Sequence, residues 1–198
     1  MTTILNKLTL IPAILALCAG AAQAAPPAAS GLTAGYSFQQ YSGAAPVGNG
    51  QVDTSSTLFY IDEQTVAGVK SWYIFFDPAH AQPVTVTLTF DTPIVNVIDT
   101  KQGLDGSNAT YGIDVDGDSV FNDYTTSLLI APERGDSTLW TAGGFTVTLD
   151  WNAVDPGDHI RVLTATPVPE PETYALLLAG LGMTAFMARR RKAIPKSS

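Results

Sequence analysis

From residue 84 to 90 the chain reads Val-Thr-Val-Thr-Leu-Thr-Phe, so Val84, Val86, Leu88 and Phe90 fall on one side of an extended backbone and three threonines on the other. That two-residue period, built from β-branched and aromatic side chains, predicts a strand with one buried face. Residues 145–151, Phe-Thr-Val-Thr-Leu-Asp-Trp, repeat the arrangement. Shorter apolar runs at 32–41, 57–61, 72–76, 94–99, 127–130 and 160–165 read as further strands. Turn chemistry separates them: Asp91-Thr92-Pro93, residues 103–107, Gly143-Gly144 and Asp155-Pro156-Gly157-Asp158. No stretch from 32 to 167 sustains the 3.6-residue apolar period of a packed helix, and no internal repeat is visible. The expected fold is all-β, a single antiparallel β-sandwich over residues 32–166, with jelly-roll and immunoglobulin-like topologies both open. A domain of about 135 residues buries roughly two thirds of its unfolded surface, enough to stand without covalent cross-links.

The two ends break this pattern. Near the start, Lys7 precedes an apolar run at 8–22, which closes on Ala22-Gln23-Ala24. A charged entry, a short greasy segment and a small-x-small site describe a secretory signal peptide, residues 1–24, cut after Ala24. Pro12 and Gly20 interrupt the run, against a membrane-spanning helix. Leu17 is bulky where a lipoprotein signal ahead of Cys18 wants a small residue. Cys18 is the one cysteine, so the processed chain would have none, and disulfide or thiolate chemistry is excluded from it. Residues 25–31, Ala-Pro-Pro-Ala-Ala-Ser-Gly, read as a flexible leader.

At the other end, residues 167–173 hold the triplet Pro169, Glu170, Pro171, and residues 174–188 are uncharged. Proline fixes φ and disfavours helix in the residue before it, so the triplet should be extended and open to an enzyme. The run carries Tyr174, Leu176, Leu177, Leu178, Leu181 and Phe186 and reads as a hydrophobic transmembrane helix. Arg189, Arg190, Arg191 and Lys192 open a basic tail, 189–198, that is costly to draw through a bilayer and acts as a stop-transfer signal. At 1.5 Å per residue, a run of about 15 residues spans roughly 22 Å, short of the ~30 Å hydrocarbon core that a permanent anchor crosses.

The order Val-Pro-Glu-Pro-Glu, aromatic residue, Ala-Leu-Leu-Leu-Ala-Gly-Leu-Gly and arginine-rich end resembles PEP-CTERM sorting domains. The resemblance covers roughly the last 30 residues and implies delivery to a membrane-embedded exosortase, with Pro169, Glu170 and Pro171 as the recognition triplet. It further implies transient anchoring in the inner membrane, then release to the cell surface or an exopolysaccharide-rich biofilm matrix.

Charge sharpens the picture of what lies between. Residues 25–167 hold 16 acidic side chains against Lys70, Lys101, Arg134 and Arg161. Such a surface repels nucleic-acid phosphates and anionic lipid head groups, excludes nucleic acid as a partner and favours solubility.

Candidate chemistry is sparse. Asp114, Asp116 and Asp118 alternate around Gly117, with Asp123 close behind, and carboxylates so spaced can gather the oxygens that calcium takes. An EF-hand loop would put glycine at Ser119 and glutamate at Thr125, so the run is either a looser calcium site, completed by Asp105 or Asn108, or a solvated Asp-rich turn. Calcium is the one cofactor in view. His80 and His159 have no partner at a recognisable spacing and read as surface or hinge residues. Trp72, Tyr73, Trp140, Trp151, Tyr111 and Tyr124 could stack against sugar rings, but Trp151 alternates with Leu149 and Val147, as a core residue does, and Trp72 and Tyr73 must point to opposite faces. Arg161 is expected to pair with a neighbouring acid, and the acceptor pattern Asn108-Ala109-Thr110 is assigned no role. The chain is thus expected to be a non-enzymatic exported protein, with a carbohydrate-binding module as the alternative and exopolysaccharide as its candidate partner.

Overall fold

The computed structural model describes residues 23–43, 47, 52–114, 131–167 and 171–192. Among them, strands β1 (Ala28–Ser30), β5 (Gln82–Thr89), β8 (Thr146–Ala153) and β7 (Ser137–Trp140) form one sheet in that spatial order. A second sheet runs β2 (Ser37–Gln40), β3 (Thr57–Val66), β4 (Val69–Phe76), β9 (Asp158–Ala165), β6 (Ile94–Ile98). Two helices complete the described elements, α1 (Lys101–Tyr111) and α2 (Pro171–Lys192). The chain is all-β in its main body, with two sheets facing each other.

The alternating segments become the neighbours β5 and β8, paired so that Val86 stands opposite Leu149 and Val84 opposite Trp151. All four are buried, with Leu88 and Val147 beside them. The threonine face looks outward and ties the strands laterally: Thr87 and Thr148 share a hydroxyl hydrogen bond of 3.2 Å, and Thr85 Oγ1 donates to Asp150 Oδ1 at 3.1 Å. Opposite them, Trp72, Ile74 and Phe76 of β4 and Ile160 and Val162 of β9 close the core between the sheets. Burying each such side chain stabilises the fold by about 1.5–3 kcal/mol.

The middle of the second sheet departs from simple alternation. Trp72 and Tyr73 do point to opposite faces, yet neither is exposed, because Tyr73 and Phe75 enter a second apolar cluster with Tyr41, Val47, Ile61 and Leu104. Helix α1 lies over that outer face and supplies Leu104. It corrects the expectation of a turn at 103–107. Thr100 caps its start by accepting from Gly103 N–H at 3.3 Å, and Lys101 pairs with Asp105 one turn on. Gly103 is required by closeness: a Cβ there would stand 2.6 Å from Ile98 Cγ2.

Other expectations are adjusted in detail. The sandwich is not wholly antiparallel, since β2 and β3 run parallel, Phe38 opposite Leu58. A parallel pair needs a long connection, and residues 41–56 provide it. The segment expected to be a loose leader contains β1, hydrogen-bonded to β5 through Ala29 opposite Leu88, and Ala24 is buried against the inter-sheet core. Strand β7 lies in a stretch where no strand is expected, and the strand expected at 127–130 falls outside the described residues.

Candidate functional site

Most of the expected function rests on the C-terminal segment. Pro169 and Glu170 lie outside the described residues, and Pro171 opens α2. Proline suits that position because its missing N–H is one that a helix start leaves unused. The helix continues through Tyr174, Leu176, Leu177, Leu178, Leu181 and Phe186 to Arg189, Arg190, Arg191 and Lys192. Leu178, Leu181, Met183, Phe186 and Met187 are all exposed, an unusual density of large apolar groups in water. Among the described residues, however, no helix is long and apolar enough to cross a membrane. The uncharged run at 174–188, expected to be a transmembrane helix, lies within α2, between Pro171, Glu172 and Thr173 in the first turn and four cations in the last.

At the expected signal-cleavage site, Ala22 lies outside the described residues, while the backbone N–H of Ala25, just past the expected cut after Ala24, donates to Asp91 Oδ2 at 2.7 Å. The calcium candidates Asp116, Asp118 and Asp123 also lie outside the described residues, and Asp114 closes the described run. Among the described residues no group of three or more histidine, cysteine or acidic side chains is placed to hold a metal ion.

Within the sandwich the structure brings together charges far apart in sequence. Arg161, fully buried on β9, donates from Nε to Glu63 Oε2 at 2.7 Å and from Nη2 to Glu63 Oε1 at 2.8 Å. Its remaining donors reach α1, at Asn108 Oδ1 (2.8 Å), Leu104 O (3.1 Å) and Ser107 Oγ. Ser71 Oγ also donates to Glu63 Oε2, at 2.5 Å, and the guanidinium lies 5.1 Å from the Tyr73 ring. Every group here has a partner, so the network holds α1 onto the sheet rather than waiting for a ligand.

A second polar group gathers at one end, around the turn Asp155-Pro156-Gly157-Asp158. Burial, reinforced by Asp136 and Glu133, pushes the Asp158 carboxyl up to about 7, and burial with Asp155 and Asp53 pushes Asp77 up to about 6. His159, expected at the surface, is fully buried, and its burial lowers the imidazole to about 4. Its ring stacks on Phe75 at 5.3 Å, with Nε2 3.1 Å from Pro156 O. Asp77 Oδ1, Asp158 Oδ2 and His159 Nδ1 are buried without a hydrogen-bond partner. His80, by contrast, is exposed.

The third feature is a cleft of about 510 Å³ at the open side of the sandwich, between β1 of one sheet and β2 of the other. Tyr36, Phe38 and Tyr60 line it, with Ser37, Gln39 and Gln40, and among the described residues no lining side chain is charged. Tyr36, Phe38 and Gln40 share one face of the extended segment because they are two apart. Phe38 and Tyr60 meet at 5.2 Å, Tyr60 packs edge-on to Trp72 at 6.2 Å, and Tyr36 Oη donates to Gln82 Oε1 at 3.3 Å. Burial, aided by Asp62, raises Tyr60 above its ordinary 10.0, so its hydroxyl stays a neutral donor. Sequence reasoning placed aromatic chemistry elsewhere: Trp72, Tyr73 and Trp151 are core, Trp140 and Tyr111 are half-buried, and Tyr124 is outside the described residues. The signal that could have found the cleft was Tyr36-Ser37-Phe38-Gln39-Gln40, where rings alternate with hydroxyl and amide side chains.

Fold and tail together define a two-part molecule, a β-sandwich followed by a helix with a proline-glutamate entry and a basic exit. Residues 167–192 match the family model of the PEP-CTERM protein-sorting motif, which supports export and handling by an exosortase as the route of this chain. The match leaves the sandwich outside it. Neither the curated proteins nor the solved structures give a match to the chain.

Proposed function

We propose that this is a non-enzymatic exported protein whose sandwich is the cargo and whose C-terminal segment is a removable address. The observation that carries the reading is the sorting-motif match at residues 167–192. The N-terminal segment through Ala24 directs export, and the exposed apolar side chains of α2 then hold the chain at the inner membrane. An exosortase acts at Pro169-Glu170-Pro171, and the sandwich passes to the cell surface or surrounding matrix. An uncharged run, residues 174–188, that falls short of the ~30 Å hydrocarbon core suits a hold that must later be undone. Replacing Pro169, Glu170 and Pro171 by alanine in the producing cell tests this. The variant should accumulate as a larger, membrane-retained species, and processing and release like the wild type would refute the sorting step.

A second reading, that the sandwich binds carbohydrate in the matrix, is favoured by the uncharged aromatic and amide cleft between β1 and β2. Aromatic faces pack against the C–H faces of sugar rings, while amides and hydroxyls pair with sugar hydroxyls.

A further inference from the structure

We propose that the cleft between β1 and β2 is a groove for an uncharged polysaccharide chain, an inference that rests on the carbohydrate-binding reading and names its site and ligand class. Its volume, about 510 Å³, lies within the ~300–1,000 Å³ of small-ligand sites. Unlike an enclosed pocket, it lies between the edge strands of two sheets, so a polymer can enter and leave along it. Tyr36, Phe38 and Tyr60 supply apolar ring surface, and their ring positions are fixed: Tyr36 lies 5.7 Å from Phe76, Phe38 packs on Tyr60, and Tyr60 packs on Trp72. A platform so braced loses little entropy on binding. Gln39 and Gln40 are exposed at the rim, each with donor and acceptor in one group, the complement of a sugar hydroxyl.

Charge selects the class of polymer. An anionic polysaccharide finds no cation among the described residues of the cleft lining, while the sandwich around it is strongly acidic. Three of the four cations of the sandwich, Lys70, Lys101 and Arg161, are engaged with Asp62, Asp105 and Glu63, and Arg134 lines a different cavity beside Asp136. Repulsion without a compensating pair disfavours uronic-acid or sulfated chains. A neutral chain meets no such penalty.

The test is affinity electrophoresis of the full chain in mild detergent through gels holding a β-glucan, a galactomannan or a dextran, with alginate as the anionic comparator. Three variants accompany the wild type: Gln39→Ala with Gln40→Ala, both on exposed side chains; Phe38→Ala, checked for an unaltered melting curve; and Leu139→Ala on β7, at the opposite edge of its sheet, as control. At least one neutral polymer should retard the wild type and the control, alginate should not, and the cleft variants should bind about tenfold more weakly or worse. Retardation by a neutral polymer that the cleft variants retain would overturn the groove while leaving carbohydrate binding standing. Retardation by alginate alone would overturn the ligand class, and no retardation by any polymer would overturn the carbohydrate reading together with the groove.

Discussion

Arg161 on β9 and Glu63 on β3 meet through two parallel hydrogen bonds, 2.7 and 2.8 Å, although β4 lies between their strands and 98 residues separate them in sequence. The guanidinium reaches across Tyr73 of β4 to do so, and both side chains are wholly removed from water. A buried pair of this kind is costly to break singly, because the survivor is a desolvated charge. Arg161→Met or Glu63→Leu alone should therefore cost about 3–5 kcal/mol in urea unfolding. The double variant should lose less than the sum of the two, since two apolar groups need no partner. Additive losses would contradict the coupling.

Acid–base balance at the Asp155–Asp158 turn gives the fold a definite pH dependence. Asp77 and Asp158 hold their protons more tightly folded, at about 6 and about 7, than at the ordinary 3.8. Their contribution to stability is full below pH 3.8 and is lost as pH rises through those values. His159 acts in the opposite sense: held neutral, with its pKa lowered from 6.5 to about 4, it contributes stability above pH 6.5 that is lost as pH falls through about 4. Between about pH 4 and 6 the histidine offsets only one of the two carboxyls, so a net decline with rising pH remains, and above pH 6.5 Asp158 dominates. Melting temperature should fall by a few degrees from pH 6.5 to 8, on the order of 1 kcal/mol. Asp158→Asn should flatten that decline, and an unchanged slope in the variant would contradict the assignment.

Legibility from sequence followed the physics of each element. Strands β5 and β8 were readable because one face packs and the other is wet, which writes a two-residue period into the chain. Helix α1 was not, because it has no apolar stripe: it buries Leu104 and Asn108, and much of its docking is done by Arg161 through Leu104 O, Ser107 and Asn108. Arg161 itself looked like a surface pair, since nothing local tells a residue that a helix will cover it. The burial of both Trp72 and Tyr73 follows from the same covered face. The sorting segment was legible whole, because its order of proline, apolar run and arginine is local and needs no fold. The cleft was hidden for the opposite reason, as it exists only where the edges of two sheets come together.

The central claim, that the C-terminal segment is an address removed in transit, is tested most directly by the mass of the protein outside the cell. Intact mass spectrometry of the released form, from cells with and without exosortase activity, reads the C-terminus itself. The expected result is a species that ends at or near Pro169–Pro171 and lacks everything from Tyr174 through Ser198, seen only when the exosortase is active. A released species that still ends at Ser198, or one trimmed identically without the enzyme, would contradict the account.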